Sequence, residues 1–184
     1  MMAGQPDIAE TREKQARDIA ERLWLASQLK VLSPRRTFNM NDALDVALFL
    51  TDRVFRGMGV QVRRKLNPDM PEVDAQMGQV EQALVSVLLN ACEATGCGGV
   101  VTVTTDQTAE GRATEVRIED TGPGIPADVL ERVFEPFFST WDRLGVGLTT
   151  ARELVTGFGG DIRIESVVGE GTKVFMTLPT VTAP

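Results

Sequence analysis

The 184-residue chain has the length of one domain with a short appended segment. Its formal net charge of −7 argues against a nucleic-acid partner, which would favour a basic surface. No apolar run approaches the ~18 residues that span a bilayer, and the polar start predicts no secretion signal. We therefore expect no membrane segment and a cytoplasmic protein. Cys92 and Cys97 have no histidine to complete a metal site, which favours two reduced thiols.

The N-terminal segment, residues 1–36, is predicted to contain a helix over residues 7–32. The first half of this helix is polar, and an apolar stripe at helical spacing follows, formed by Ile19, Leu23, Ala26 and Leu29. The helix either packs on its own domain or forms half of a helical hairpin or dimer interface. The sequence leaves both possibilities open.

Two further helices are predicted in the first half of the remaining chain, residues 37–184. Asn41 is a candidate cap for a helix over Asp42–Phe55, and Val60–Leu66 alternates as a strand. A longer helix is predicted from about Asp74 to Thr95. Its buried stripe comprises Val80, Leu84, Val87, Leu88 and Ala91.

The second half is predicted to contain two β-hairpins separated by short helices. The first hairpin joins Val101–Thr105 to Thr114–Glu119, and the last joins Ile162–Val167 to Thr172–Leu178. A short helix over Ala127–Arg132 and a glycine-opened helix ending near Thr156 lie between them. This order predicts an α+β fold: a two-layer α/β sandwich whose mixed, mostly antiparallel sheet is covered on one face by helices.

A carboxylate at the end of a strand is the first candidate site residue. Asp120 follows the alternating strand Val116–Glu119, and Gly122 and Gly124 follow at once. Such an aspartate either accepts a hydrogen bond from a ligand amino group or closes an Asx turn in its own loop. Asn90, beside the apolar stripe of the long helix, is either a satisfied buried amide or a ligand of phosphate-bound metal. No P-loop or dinucleotide fingerprint is present.

Five motifs together resemble one family. They are L-L-N-A-C-E-A at 88–94, D-T-G-P-G-I at 120–125, F-E-P-F-F-S-T at 134–140, G-V-G-L at 145–148 and G-E-G-T at 169–172. The first and second resemble the asparagine box and the first glycine box of the histidine-kinase, gyrase, chaperone and mismatch-repair ATPase superfamily. The third is similar to a phenylalanine box, and the last two resemble the later glycine boxes. The phenylalanine box resembles that of bacterial sensor histidine kinases, with nitrogen-regulation and dicarboxylate-sensing kinases the nearest in appearance.

The resemblance implies a Bergerat-type ATPase fold that binds ATP and Mg²⁺. Asp120 would accept the adenine amino group, and Asn90 would hold the metal against the phosphates and act in catalysis with Ser86. The other implied nucleotide contacts are Glu93, Gly122, Gly124, Ile125, Phe134, Phe138, Arg143, Gly145, Gly147, Leu148 and Thr172. Residues 1–36 would be a remnant of a dimerisation hairpin and residues 37–184 the ATP-binding catalytic domain.

Three departures from the family pattern bear on function. Ser86 stands where the family commonly has a second Asn or a Glu, Arg143 replaces a glycine of the lid, and the chain has no acceptor histidine. The implied function is therefore transfer of the γ-phosphoryl of Mg-ATP to a histidine supplied by another domain or chain. The implied partners are a histidine-bearing dimerisation domain or a response regulator, with a possible homodimer through the N-terminal helix. The alternative is a nucleotide-binding regulatory or partner-binding module without turnover.

Overall fold

The computed structural model describes residues 34–135, 138 and 147–181. The helix predicted over residues 7–32, Arg143 and Gly145 lie outside these described residues. Within them, none of the helices combines the length and apolar character that crossing a membrane requires.

Four helices and seven strands make up the described part of the chain. The strands are β1 (Arg36–Asn39), β2 (Gln61–Leu66), β3 (Glu72–Ala75), β4 (Val100–Gln107), β5 (Ala113–Asp120), β6 (Asp161–Val167) and β7 (Gly171–Pro179). The helices are α1 (Met40–Gly57), α2 (Met77–Thr95), α3 (Ala127–Leu130) and α4 (Gly147–Thr156).

The central sheet has five strands in the order β2-β4-β5-β7-β6. Strand β2 runs parallel to β4, and the other neighbouring pairs are antiparallel. Strands β1 and β3 form a separate antiparallel pair. The predicted mixed, mostly antiparallel sheet and both predicted hairpins are thereby confirmed.

Period-two burial explains why one face of the sheet carries the helices. Strand β5 alternates between buried and half-buried residues, with Val116 and Ile118 in the core. Their neighbours Arg117 and Glu119 lie on the opposite face and form an ion pair. Helix α2 supplies the other side of the core through the predicted stripe, in which Leu84 and every other member is buried. The two-layer sandwich is confirmed.

The start of α1 differs from the predicted one by two residues. The N-cap is Asn39, whose side chain accepts a hydrogen bond from the Asn41 backbone N–H at 2.9 Å. Asn41 lies inside the helix, where its amide donates to Asn67 O and accepts from the Thr105 hydroxyl. Both asparagines are chemically able to cap, and these two tertiary contacts of Asn41 decide between them.

The predicted start of the long helix at Asp74 is also wrong. Residues Glu72–Ala75 form β3, and α2 begins only at Met77. Glu, Asp and Ala have low strand propensity, so the local sequence disguises this strand. Pairing with β1 stabilises it, and Val73 and Ala75 are buried in the core as a result.

Candidate functional site

Asp120 occupies the end of β5, where the apolar alternation of the strand stops. The residue is 7% exposed. Its Oδ1 accepts hydrogen bonds from the backbone N–H groups of Gly122 at 2.8 Å and Thr172 at 3.3 Å. None of the hydrogen bonds within the described residues uses Oδ2. The Asx turn and the ligand-binding carboxylate are therefore compatible, because one oxygen closes the turn and the other remains for a ligand.

Burial raises the pKa of Asp120, while the two backbone hydrogen bonds oppose this shift. The Asp120 carboxylate is thus desolvated but oriented. An acceptor held in this way suits an amino group that donates a hydrogen bond, because an unpaired buried acceptor is costly.

The loop after Asp120 requires glycine for steric reasons. A Cβ at Gly122 would lie 2.5 Å from the Ala94 carbonyl oxygen at the end of α2. A Cβ at Gly124 would lie 2.1 Å from Val167 O, and Gly124 also has a positive φ of 73°. The backbone of this glycine loop, residues 121–125, therefore packs closely against the end of α2 on one side and against the β6–β7 turn on the other.

A row of polar side chains crosses three strands at the same end of the sheet. Asp120 on β5 is in register with Thr172 on β7, and Thr172 is in register with Ser166 on β6. The Ser166 hydroxyl accepts from the Ile125 N–H at 2.8 Å and lies 3.0 Å from Thr172 Oγ1. The sequence analysis missed Ser166. The alternation Ile162, Ile164, Ser166 was the available signal, because it places Ser166 on the core face in line with Thr172.

Helix α2 carries a second set of predicted polar site residues, near the start of α4. Ser86, Asn90 and Glu93 follow at helical spacing along one half-buried stripe. Ser86 Oγ donates a hydrogen bond to Gly147 O at 2.9 Å. A Cβ at Gly147 would lie 3.0 Å from Ser86 Oγ and 3.3 Å from Asn90 Nδ2. Three predicted site residues thus meet where α4 begins, and an α-helix N-terminus favours anions.

Phe134, Phe138 and Leu148 are predicted site residues that contact other parts of the described structure. Phe134 packs against the core beneath the Arg152 guanidinium, 4.6 Å from its ring centroid, and its carbonyl accepts from Thr149 Oγ1. Phe138 lies under Arg132 at 4.2 Å. Leu148 packs against the core. None of these contacts tests a role in nucleotide binding, so that role remains a prediction.

An open cleft of about 320 Å³ lies beside α4, lined by Phe134, Thr149, Arg152, Glu153 and Thr156. Only Phe134 among these is a predicted site residue, and neither Asp120, Thr172 nor any residue of the glycine loop lines the cleft.

Cys92 is buried with its thiol 3.7 Å from Met58 Sδ, and burial raises the pKa of Cys92 to about 11. Within residues 34–135, 138 and 147–181, no three His, Cys, Asp or Glu side chains cluster as a metal site.

The amino-acid sequence matches a known family. Residues 76–182, more than half of the chain, match the family "Histidine kinase-, DNA gyrase B-, and HSP90-like ATPase". The sensor histidine kinase ZraS of Escherichia coli O157:H7 is 32% identical over 77% of this chain and 31% of its own length. Sensor kinase CckA of Brucella abortus is 33% identical over 95% of this chain and 20% of its own. The chain thus spans less than a third of the length of these relatives.

Other similar proteins agree with this placement. The C4-dicarboxylate transport sensor protein DctB of Rhizobium meliloti is 38% identical over 69% of this chain and 21% of its own length. A dicarboxylate sensor is therefore among the relatives. The nucleotide-free catalytic domain of histidine kinase ThkA superposes with a TM-score of 0.71 at 26% identity, covering 80% of this chain and 97% of that domain. Together with the family match, these similarities show that the chain belongs to the histidine kinase-, DNA gyrase B- and HSP90-like ATPase family, as an ATP-binding catalytic domain of the sensor histidine kinase type.

Proposed function

We propose that this chain binds Mg-ATP with its base at Asp120 and the glycine loop and its phosphates at the junction of α2 and α4, and transfers the γ-phosphoryl group to a histidine supplied by another domain or chain. The observation that carries the proposal is the geometry of Asp120. Two backbone N–H groups fix its Oδ1, and Oδ2 remains for the adenine amino group. Gly122, Gly124 and Ile125 would line the base, with Thr172 beside Asp120.

The phosphate end of the proposed site lies where α4 meets α2. Gly147 leaves room for a close backbone approach, and Asn90 lies within contact distance of a Cβ built there. Mg²⁺ takes oxygen ligands, keeps several waters and shares substrate phosphates instead of needing an all-protein cage, so the Asn90 amide oxygen would complete its shell beside the phosphates. When bound, the ion would neutralise phosphate charge, which suits a reaction that depends on positioning rather than covalent help. We also assign Glu93, Phe134, Phe138, Arg143, Gly145 and Leu148 to this site as proposals.

The phosphoryl acceptor must come from elsewhere because the 184 residues contain no histidine. We infer that residues 1–36 belong to a dimerisation hairpin, that residues 37–184 form the catalytic domain, and that the chain acts in the cytoplasm. ThkA has been solved in complex with the response regulator protein TrrA, at 22% identity to this chain and a TM-score of 0.72. That similarity shows a shared fold, and we propose a response regulator or a histidine-bearing hairpin as the partner here.

One observation favours the alternative of nucleotide binding without turnover. Ser86 Oγ donates a hydrogen bond to the Gly147 carbonyl, which holds this side chain against the start of α4. A neutral hydroxyl is a very weak base, so Ser86 offers little help in deprotonating an acceptor.

Calorimetric titration separates these functions from a purely structural role. The chain should bind Mg-ATP and a non-hydrolysable analogue saturably, and Asp120→Asn should weaken both. In the variant, an amide N–H₂ would replace Oδ2 and face the amino group, donor against donor, at a cost of about 1.5–3 kcal/mol or roughly tenfold to 150-fold in Kd. Labelled ATP with a hairpin domain from a relative then tests transfer. Binding without label would support the alternative, and an absence of binding would reject both functions.

A further inference from the structure

Ser166 lies at the end of the polar row, where an apolar strand face becomes polar. Ile162 and Ile164 precede it on the core-facing side of β6 and pack in or against the core. Their partners across β7 are the apolar Met176 and Val174, whereas the partner of Ser166 is Thr172. The hydroxyl therefore appears only at the end of β6 that is in line with Thr172 and Asp120.

The Ser166 hydroxyl has three neighbours and uses all of its hydrogen-bonding capacity. It accepts from Ile125 N at 2.8 Å, donates to Gly171 O at 2.9 Å and lies 3.0 Å from Thr172 Oγ1. A serine hydroxyl has one proton and two lone pairs. Because the proton goes to Gly171 O and one lone pair to Ile125, the contact with Thr172 must use the second lone pair.

This count fixes the direction of the Thr172 hydroxyl. The Thr172 hydroxyl donates a hydrogen bond to Ser166 Oγ, so the lone pairs of Thr172 Oγ1 remain available as acceptors. The Thr172 backbone N–H is bonded to Asp120 Oδ1, which brings the two residues together. This end of the sheet thereby carries acceptors from both Asp120 and Thr172, and a ligand that donates hydrogen bonds is favoured there.

We propose that Ser166 is a positioning residue for nucleotide recognition. It ties the glycine loop to β7 through Ile125, and it orients Thr172 Oγ1 as an acceptor toward the amino edge of adenine, either directly or through a water. The proposal rests on the proposed function. Ser166 itself need not touch the nucleotide, because its effect passes through Thr172 and the loop.

The test compares ATP with purine riboside triphosphate, which lacks the exocyclic amino group. In calorimetric titrations of the full chain, Ser166→Ala should weaken Mg-ATP binding roughly fivefold to tenfold, the effect of about one hydrogen bond. The same variant should weaken binding of the analogue less. Ser166→Thr keeps the hydroxyl and should bind ATP nearly as the wild type does. Thr177→Ala is the matched control, because Thr177 Oγ1 joins β7 to Asp161 O far along the same hairpin.

A second readout tests the route through Thr172. In a Thr172→Val background, Ser166→Ala should cost little further ATP affinity, because residues that act as a unit are not additive. Equal losses for ATP and the analogue, an undiminished loss in the Thr172→Val background, or wild-type affinity of Ser166→Ala would each overturn the proposal. If the wild-type chain itself binds no Mg-ATP, the proposed function fails and the role of Ser166 in recognition fails with it.

Discussion

Replacing Gly147 with alanine adds one methyl group where α4 meets α2. The new Cβ would lie 3.0 Å from Ser86 Oγ, and 3.3 and 3.4 Å from the two terminal atoms of the Asn90 amide. Ordinary van der Waals contacts of a Cβ lie at 3.4–4 Å. Ser86 must therefore give way by about 0.4 Å, the difference between 3.4 and 3.0 Å, or α4 must shift by that amount.

The expected effect on stability is small, whereas the expected effect on phosphotransfer is a clear loss. Alanine stabilises a helix interior by up to about 1 kcal/mol over glycine, and by less at the first residue of a helix. The free energy of unfolding should thus change by less than ~1 kcal/mol. A 1 Å misplacement caused by a mutation can cost ~100-fold in rate, so a 0.4 Å shift of α4 predicts a loss of about sixfold in phosphotransfer rate.

A second substitution, Ser86→Ala, removes the crowded atom Ser86 Oγ and tests whether the steric contact causes the loss. Gly147→Ala is measured in the wild type and in a Ser86→Ala background, by phosphotransfer rate and by Mg-ATP titration. If the Cβ–Oγ contact causes the loss, the alanine at 147 should cost little once Ser86 Oγ is absent. The same loss in both backgrounds would refute the steric argument. Gly57→Ala is the control, because a Cβ at that helix end meets nothing within 4 Å.

Two further predictions concern stability. Gly124→Ala and Gly169→Ala both place a side chain at positive φ, but only the first meets a carbonyl, Val167 O at 2.1 Å. In urea unfolding, Gly169→Ala should cost about 1–2 kcal/mol and Gly124→Ala clearly more, so equal costs would contradict the predicted clash. Burial raises the pKa of the Asp120 carboxyl above 3.8, so the native state binds the carboxyl proton more tightly than the unfolded state does. The free energy of unfolding therefore falls as the pH rises from about 3.8 through the higher native pKa. Without nucleotide at neutral pH, Asp120→Asn should therefore unfold at a higher urea concentration than the wild type, and this difference in stability should shrink on acidification. A difference that does not change with pH would contradict the prediction.

Local patterns sufficed for the elements whose own residues decide their structure. The stripe of α2 and the alternation of β5 are long and regular, and both are buried as expected. Strand β3 was not predicted, because its two core residues Val73 and Ala75 alternate with the charged Glu72 and Asp74. Its pairing with β1 also joins positions that are more than 30 residues apart in the chain. Such non-local pairing leaves no mark in a local window.

The candidate site shows the same division. Asp120 and the glycines were identified by motif, and the structure supplies reasons for them in two N–H donors and in carbonyls that exclude a Cβ. Ser166 was missed because no motif that we recognised contained it, although its alternation with Ile164 was visible. Its meaning depended on the register of β6 with β7, which places it opposite Thr172 and which the sequence alone did not establish.

The core and the proposed pocket are held by the same helix. Leu84 and Leu88 are fully buried, and they flank Ser86, which is half-buried and bonded to Gly147. Burying each leucine contributes about 1.5–3 kcal/mol, so rotating α2 to move Asn90 would expose these side chains. The end of α2 is constrained as well, because the Ala94 carbonyl leaves no room for a Cβ at Gly122. We therefore expect α2 to act as the rigid wall of the site, and nucleotide-dependent changes in amide exchange to be smallest along it.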